Sequence, residues 1–323
     1  MAPDPNQFAV HRAEVRNGVT LAYVRENVGG FPIVLLHGFP ESKRIWWRNI
    51  APLAAAGFEV IAPDLRGHGD SSLAPDGFYD IAAFALDVHA LVHDILGHER
   101  VAVIGGDVGG VVLFDLGLRY QGWVARQVLF NTLPPPLDAL YAERGIPDDP
   151  PHHTRQTADY FVRQGTDADG LAAELDTPER RRAYIAGMYT HRLWAAPGHF
   201  SADDVAFHTE PYADGAKLRA SFGVYEGASG TKQFETLPSL FEPTPVPTLL
   251  LYGPDDHVVP TSFPAKAAVA CLDCTGPLHI PNAGHFLQWE QAETFNKVVT
   301  AFLRDLVTTT HQPTPRSRAP LGR

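Results

Sequence analysis

The stretch VIGGDVGGVV, residues 103–112, joins a run of strand-forming residues to an apolar run of helical character through four glycines and one aspartate. Small residues on both sides of Asp107 allow a strand and a helix to approach closely at a sharp turn. Aspartate tolerates a positive φ better than most residues, so it can occupy the strained position at the tip of such a turn. The pattern predicts a strand–turn–helix unit that exposes the Asp107 side chain above a sheet.

Short apolar runs alternate with helical patterns on both sides of this turn. The runs are continuous, as in strands buried on both faces of a parallel sheet, and they cover residues 33–37, 58–64, 100–106, 126–132, 248–253 and 277–281. Two earlier strands are joined at Asn17-Gly18, a strong hairpin signal. A helical pattern of apolar residues begins after Asp80. This order predicts an α/β fold with a mostly parallel, doubly wound sheet.

The alternation of strands and helices stops after Thr132. Residues 134–236 show helical but no clear strand patterns, and the strand pattern resumes before residue 248. We therefore expect a core domain made of residues 1–133 and 237–306, with a helical lid of residues 134–236 over the carboxyl edge of the sheet, where such sheets bind ligands. Residues 307–323 have no apolar periodicity and are predicted to be a disordered tail.

The charge and composition exclude several kinds of partner. The chain has 26 basic and 37 acidic residues, a net charge of −11, which argues against a nucleic-acid partner. No apolar run approaches the roughly 18 residues of a membrane helix, and the first residues do not resemble a secretory signal. Cys271 and Cys274 are expected to be ordinary thiols, not a zinc or redox site. A cytoplasmic location is the prediction.

Glycines in a strand–turn–helix unit can also hold a phosphate at a helix N-terminus, which is the alternative interpretation. The sequence G-G-D-V-G-G does not match G-x-G-x-x-G, and the Asp107 carboxylate would repel a pyrophosphate. The unit instead matches the nucleophile elbow, most often written G-x-S-x-G. Asp107 then occupies the position of the nucleophile.

The elbow predicts two partners that follow the nucleophile in the order acid, histidine. The segment NAGHFLQWE (282–290) follows the last predicted strand and makes His285 the candidate base. The segment GPDDHVVP (253–260) follows the preceding strand and offers Asp255 or Asp256 as the acid, although either side chain could cap a loop instead.

The segment HGFP (37–40) ends the third strand. Gly38 would let the backbone approach a substrate closely, so that the amides of Phe39 and Val108 converge as an oxyanion hole. A simple strand-ending turn is the alternative interpretation of this segment.

Taken together, HGFP, DLRGHGDS (64–71), GGDVGG, YGPDDHVVP and AGHFLQWE resemble the α/β-hydrolase superfamily over residues 11–306. The aspartate nucleophile, HGFP and the helical lid resemble its epoxide hydrolase branch. The resemblance implies the α/β-hydrolase fold. It also implies that the acid is Asp256, which lies three residues after the glycine as in the superfamily's G-x-x-D pattern.

The resemblance further implies a reaction in two steps. The Asp107 carboxylate attacks an epoxide to form an ester, and water activated by His285 and Asp256 hydrolyses that ester to a vicinal diol. No cofactor and no metal is required. The implied partners are a small apolar epoxide, contacted by His37 and Trp46, and water; a homodimer is one option for the assembly.

Epoxide hydrolases of this branch open the ring with two lid tyrosines. The resemblance implies Tyr160, in DYFVRQG (159–165), and Tyr225, in FGVYEGA (222–228). Both segments depart from the family pattern, because the first lacks its proline and the second has Glu226 where arginine is usual. The alternative interpretation is that both tyrosines are aromatic residues of the lid core.

Two other functions remain as alternatives. Haloalkane and fluoroacetate dehalogenases also use an aspartate nucleophile, but relatives of that kind have tryptophan or arginine after it, where this chain has Val108. A ligand-binding or biosynthetic protein could keep the fold without catalysis. The full set of nucleophile, acid and histidine argues against that function.

Overall fold

The computed structural model describes residues 2–149 and 159–310, and its strands form one sheet with the order β1-β2-β4-β3-β5-β6-β7-β8. Strand β1 pairs antiparallel with β2, β2 pairs antiparallel with β4, and the other neighbours are parallel. The predicted α/β class with a mostly parallel sheet is confirmed. The strands are β1 (Val10–Glu14), β2 (Thr20–Glu26), β3 (Phe31–Leu36), β4 (Phe58–Pro63), β5 (Val101–Gly106), β6 (Val124–Phe130), β7 (Thr248–Tyr252) and β8 (Cys274–His279).

The strands predicted to be buried on both faces fall into two groups. Every residue of β3, β4, β5 and β7 is buried, as their continuous apolar runs predict. Strand β8 differs, because most of its residues are exposed. It is the last strand of the sheet and has a neighbour on one side alone, so fewer elements pack around it.

The helices cover both faces of the sheet and the edge above it. A 3₁₀ turn (Lys43–Trp46) precedes the first helix, and a π-helical turn (Ala90–Ile95) extends the second. In chain order the described helices are α1 (Ile50–Ala55), α2 (Ile81–His89), α3 (Asp107–Arg119), α4 (Asp138–Glu143), α5 (Asp159–Thr166), α6 (Ala168–Glu174), α7 (Pro178–Tyr189), α8 (Ala202–Thr209), α9 (Gly215–Ser221), α10 (Gly223–Ala228), α11 (Phe263–Ala270), α12 (Leu287–Glu290) and α13 (Ala292–Thr310). None of these helices is both long and apolar enough to cross a bilayer.

Helices α4 to α10 lie between β6 and β7 in the chain and pack above the carboxyl edge of the sheet. Two buried tyrosines join them to the loop after β3: the hydroxyl of Tyr189 donates to the carbonyl of Pro40, and that of Tyr212 donates to the carbonyl of Glu41 at 2.9 Å. The lid is therefore bonded directly to the loop that carries HGFP.

Helix α13 extends past the predicted end of the core. Phe295, Val299, Leu303 and Leu306 recur every three or four residues and are buried. The helix continues through Thr310, and Val307 packs against the core beside Gly57. The prediction of a tail beginning at residue 307 is therefore wrong for residues 307–310, because the amphipathic helix extends one turn further. The rest of that predicted tail, 311–323, lies outside the described residues.

Candidate active site

Asp107 begins α3 directly after β5 and has a φ of +47°. The glycines around it are required by close packing: a Cβ on Gly105 would lie 2.5 Å from the carbonyl oxygen of Gly109, and one on Gly109 would lie 2.4 Å from that of Leu36. The amide of Asp107 donates to the carbonyl of Asn131 at 3.0 Å. This sharp turn directs the carboxylate toward the space between sheet and lid.

The loop after β3 contacts the Asp107 carboxylate through its backbone. The amide of Phe39 donates to Oδ1 of Asp107 at 2.6 Å. A Cβ on Gly38 would lie 2.4 Å from the same oxygen, so glycine is needed for this approach. Val108 follows Asp107 in the first turn of α3 and lines the adjoining cavity. The Phe39 amide therefore contacts the carboxylate directly, and the oxyanion hole formed with the Val108 amide stays a prediction.

His285 lies between two carboxylates. Its Nδ1 lies 2.8 Å from Oδ2 of Asp256, and its Nε2 lies 3.2 Å from Oδ2 of Asp107. Asp256 is buried, and its Oδ1 accepts the amides of Val258 and Val259. The structure thus places Asp256 next to His285, whereas the neighbouring Asp255 is half-buried and its amide donates to the carbonyl of Ala283.

The pKa of His285 reflects this position. Burial alone would lower the pKa of an imidazole, but the charges of Asp256 and Asp107 and their hydrogen bonds outweigh burial and raise the pKa of His285 well above its usual value. The imidazole therefore holds a proton while both carboxylates are charged. Loss of either negative charge would lower the pKa of His285.

Tyr160 and Tyr225 reach the same cavity from α5 and α10. Both are buried, and their rings lie 5.5 Å apart and nearly perpendicular, each beside the ring of Phe39. Burial, with the charge of Asp107 adding to it, raises the pKa of both hydroxyls well above 10. Both are therefore protonated near neutral pH. Oη of Tyr225 has no hydrogen-bond partner of normal geometry among the described residues.

The cavity next to Asp107 has a volume of about 340 Å³. The polar side chains in its described lining are the Asp107 carboxylate and the two tyrosine hydroxyls. The apolar walls consist of Ile81, Val108, Val111, Leu133, Pro134, Pro135, Pro136, Phe161, Val224, Ala228, Phe234, Pro238, Leu240, Phe241, Val258 and Val259. A carboxylate and two phenols therefore face an otherwise apolar space.

The two residues expected to contact substrate lie elsewhere. His37 is buried, with Nε2 accepting the amide of Leu65 at 2.9 Å and Nδ1 beside the carbonyl of Gly38, and burial lowers its pKa. Trp46 is fully buried against Phe130 and Phe295. Neither lines the cavity, so the structure does not support the expected substrate contacts. Both side chains point from the carboxyl edge into the core.

Asn131 is a site residue that the sequence reasoning missed. It follows β6 with a φ of +34°, and its Nδ2 donates to Oδ2 of Asp256 at 3.0 Å and to the carbonyl of Gly284 at 2.8 Å. Its Oδ1 accepts the amide of Gly253 at 2.8 Å. One side chain thus joins the acid loop to the histidine loop. An asparagine directly after a buried strand next to the elbow strand was the available signal.

Glu41 and Gln288 form a second contact that the sequence did not indicate. The Glu41 carboxylate accepts the amide of Gly38 at 2.6 Å and the Nε2 group of Gln288 at 2.9 Å. Burial raises the pKa of Glu41 to about 7, although these hydrogen bonds oppose the rise. This buried carboxylate holds the loop that carries Phe39.

Comparison with known proteins identifies the family of the chain. A family model described as the alpha/beta hydrolase fold matches residues 32–292. The chain is an α/β hydrolase. Over 126 residues this α/β hydrolase is 43% identical to a soluble epoxide hydrolase from Corynebacterium sp. (strain C12), an alignment that spans 38% of the chain and 42% of that relative.

Two other similarities cover most of this α/β hydrolase. It is 27% identical over 301 residues to a bifunctional esterase/perhydrolase from Acinetobacter calcoaceticus, covering 90% of the chain and 98% of the relative. The solved structure of the epoxide hydrolase CorEH without ligand has a TM-score of 0.77 and 25% identity, covering 93% of the chain and 100% of that structure. Because these relatives carry different activities, the residues at the site must indicate the reaction.

Proposed function

We propose that this α/β hydrolase opens epoxides to vicinal diols through a covalent ester on Asp107. The observation that carries the proposal is the arrangement of one cavity, in which an aspartate at the nucleophile elbow and two buried, protonated tyrosines share the lining. A carboxylate is ionised at neutral pH and attacks an sp³ carbon without a base. A phenol donates a proton to the oxygen that leaves.

In the first step a new C–O bond forms between Asp107 and an epoxide carbon while the ring C–O bond breaks. The ring oxygen takes its proton from Tyr160 or Tyr225, which leaves a phenolate and an ester that carries a hydroxyl. The amide of Phe39, 2.6 Å from Oδ1, fixes the carboxylate and leaves the other oxygen, Oδ2, to attack the epoxide. Apolar walls exclude water from this step.

In the second step His285 takes a proton from water, and the hydroxide attacks the carbonyl carbon of the ester. Ester formation has neutralised Asp107, one of the two charges that hold a proton on His285 against burial, so His285 returns this proton to the phenolate and becomes the neutral base that activates water. The amides of Phe39 and Val108 stabilise the oxyanion, each contributing about 3–4 kcal/mol by analogy with other oxyanion holes. Collapse of the oxyanion breaks the ester C–O bond, and the leaving alkoxide takes the proton of the new carboxyl group. The diol departs, the Asp107 carboxylate is restored, and His285 keeps the proton that it took from water, as in the resting enzyme.

Dehalogenation through the same aspartate is the competing reaction. It would need a donor for the halide near the nucleophile, and the described lining of the cavity contains neither tryptophan nor arginine. Val108 occupies the position after Asp107. These observations favour an epoxide over a haloalkane. Diol formation from epoxides, and halide release from haloalkanes of the same size, compare the two reactions directly.

A single turnover in ¹⁸O-water with enzyme in excess tests the ester. If Asp107 is the nucleophile, the first diol is unlabelled and Asp107 gains the label, because the diol oxygen comes from the carboxylate. If Asp107 merely orients water, the first diol is labelled and the enzyme is not. Label in that first diol would rule out the ester route and leave the fold unaffected.

A further inference from the structure

The loop that carries His285 is held by a buried carboxylate that the reaction above does not use. We propose that Glu290, at the end of α12, is a positioning residue that fixes this loop against lid residues 194–196 and thereby sets the rate of ester hydrolysis. The inference rests on the proposed function, because it assigns Glu290 to the second step of that reaction.

Glu290 accepts three backbone hydrogen bonds. Its Oε2 accepts the amides of Gly284 and Ala196, each at 2.8 Å, and its Oε1 accepts the amide of Phe286 at 2.9 Å. Gly284 and Phe286 are the immediate neighbours of His285. A charged acceptor strengthens such bonds, and three together fix the backbone on both sides of the base.

The third amide belongs to the lid. Lid residue Trp194 accepts the amide of His285 with its carbonyl at 2.8 Å, and its ring packs against the rings of His285 and Tyr160 at 5.2 and 4.7 Å. A Cβ on Gly284 would lie 2.5 Å from the amide of Ala196, so the two segments are in direct contact. Glu290 therefore bridges the base loop and the lid segment that contacts a predicted proton donor.

The position of His285 matters most in the second step. Ester formation needs the Asp107 carboxylate and a phenol, whereas hydrolysis needs Nε2 of His285 within reach of both water and the ester carbon. A displacement of about 1 Å can reduce a rate by about 10²-fold. A looser base loop should therefore slow hydrolysis much more than alkylation.

The substitution Glu290→Gln tests this, because it keeps the shape but replaces one acceptor oxygen with an NH₂ group that faces an amide donor. Burial raises the pKa of Glu290 to about 7, although the three amide hydrogen bonds oppose the rise. The comparison is therefore made at pH 8.5, where the wild-type side chain is ionised. Rapid-quench single turnovers with intact-protein mass spectrometry measure ester formation and decay separately. We expect decay to slow by about 10–100-fold, with ester formation within about threefold of wild type, and the ester to accumulate.

Asp204→Asn is the matched control. Asp204 is another buried carboxylate. It accepts bonds from the amide and hydroxyl of Ser201 at the start of α8 and pairs with Arg48 at 3.3 Å, and neither partner lines the cavity. This control should lower stability without changing the ratio of the two rates. Glu290→Asp, which keeps the charge on a shorter side chain, should restore part of the decay rate.

The outcomes separate the two proposals. Decay at the wild-type rate in folded Glu290→Gln, an equal slowing of both steps, or loss of folding in both Glu290 variants would each overturn the positioning role. Absence of an ester in the wild type and in His285→Gln would instead overturn the proposed function.

Discussion

The amide of Phe39 donates a 2.6 Å hydrogen bond to Oδ1 of the Asp107 carboxylate. The two oxygens of this carboxylate are therefore not equivalent, because Oδ2 lies 3.2 Å from Nε2 of His285 instead. In the proposed ester, Oδ1 is the carbonyl oxygen, which an amide already holds, and Oδ2 forms the bond to substrate.

The substitution His285→Gln should block ester hydrolysis but not ester formation. The reason is that Asp107 needs no base to attack, whereas water does. Protein incubated with an epoxide should become heavier by one substrate mass, as measured by intact-protein mass spectrometry. The double variant with Asp107→Asn is the control and should show no such adduct; a folded single variant of unchanged mass would contradict the ester.

Tyr225→Phe and Tyr160→Phe should slow ring opening while leaving the fold intact. Loss of a general acid typically reduces the rate by about 10²–10⁴-fold, and the double variant should lose more than either single variant, because each hydroxyl can partly replace the other. Single-turnover rates of ester formation measure the effect. Tyr184→Phe, a lid tyrosine whose hydroxyl accepts from Gln164, is the control. Full activity in the double variant would show that neither tyrosine donates the proton.

Asn131→Ala should reduce turnover and stability together. The side chain joins Asp256, Gly253 and Gly284, so its removal leaves buried groups unpaired, at about 1–3 kcal/mol for each, and the residue adopts a left-handed φ that alanine disfavours. Urea unfolding and kcat measure the two effects. Asn131→Gly separates them, because glycine relieves the backbone strain but not the lost contacts. Unchanged kcat in both variants would show that Asn131 has no part in aligning His285.

His208→Phe should stabilise the protein, most strongly at low pH. His208 lies in α8 against Trp289 and Tyr189, and neither ring nitrogen has a hydrogen-bond partner among the described residues. Burial, reinforced by Arg44 and Arg48, lowers the pKa of His208 well below 6.5. Removing two unpaired buried nitrogens should add about 1–3 kcal/mol to the free energy of unfolding.

The pH dependence of that gain follows from where His208 binds a proton. Below pH 6.5 the unfolded chain takes up a proton on His208 that the folded protein does not. As the pH decreases, this residue therefore lowers the free energy of unfolding of the wild type by up to about 1.4 kcal/mol per pH unit. The variant lacks that loss. Urea unfolding at pH 7.5 and 5.5 measures it, with exposed His191→Phe as the control. An equal stability difference at both pH values would contradict a neutral buried His208.

Local patterns in the sequence were enough to predict the fold class and the candidate nucleophile. Continuous apolar runs correctly predicted the buried strands β3, β4, β5 and β7 but not the exposure of β8, and glycines around Asp107 predicted the turn whose φ is +47°. Such features depend on neighbours within a few residues. The order of segments 253–260 and 282–290 after the elbow named the candidate acid and base for the same reason.

Side-chain direction and long-range contact were decided by the tertiary structure. The sequence pattern did not decide whether Asp255 or Asp256 is the acid, and the family resemblance implied Asp256. In the folded protein the Asp256 carboxylate contacts His285. Trp46 packs into the core instead of lining the cavity, and α13 extends to Thr310. Asn131 and Glu290 gained their contacts because folding brings loops from several strands to one edge of the sheet. A linear pattern can name the residues at a strand end, but only the folded chain determines which of them meet.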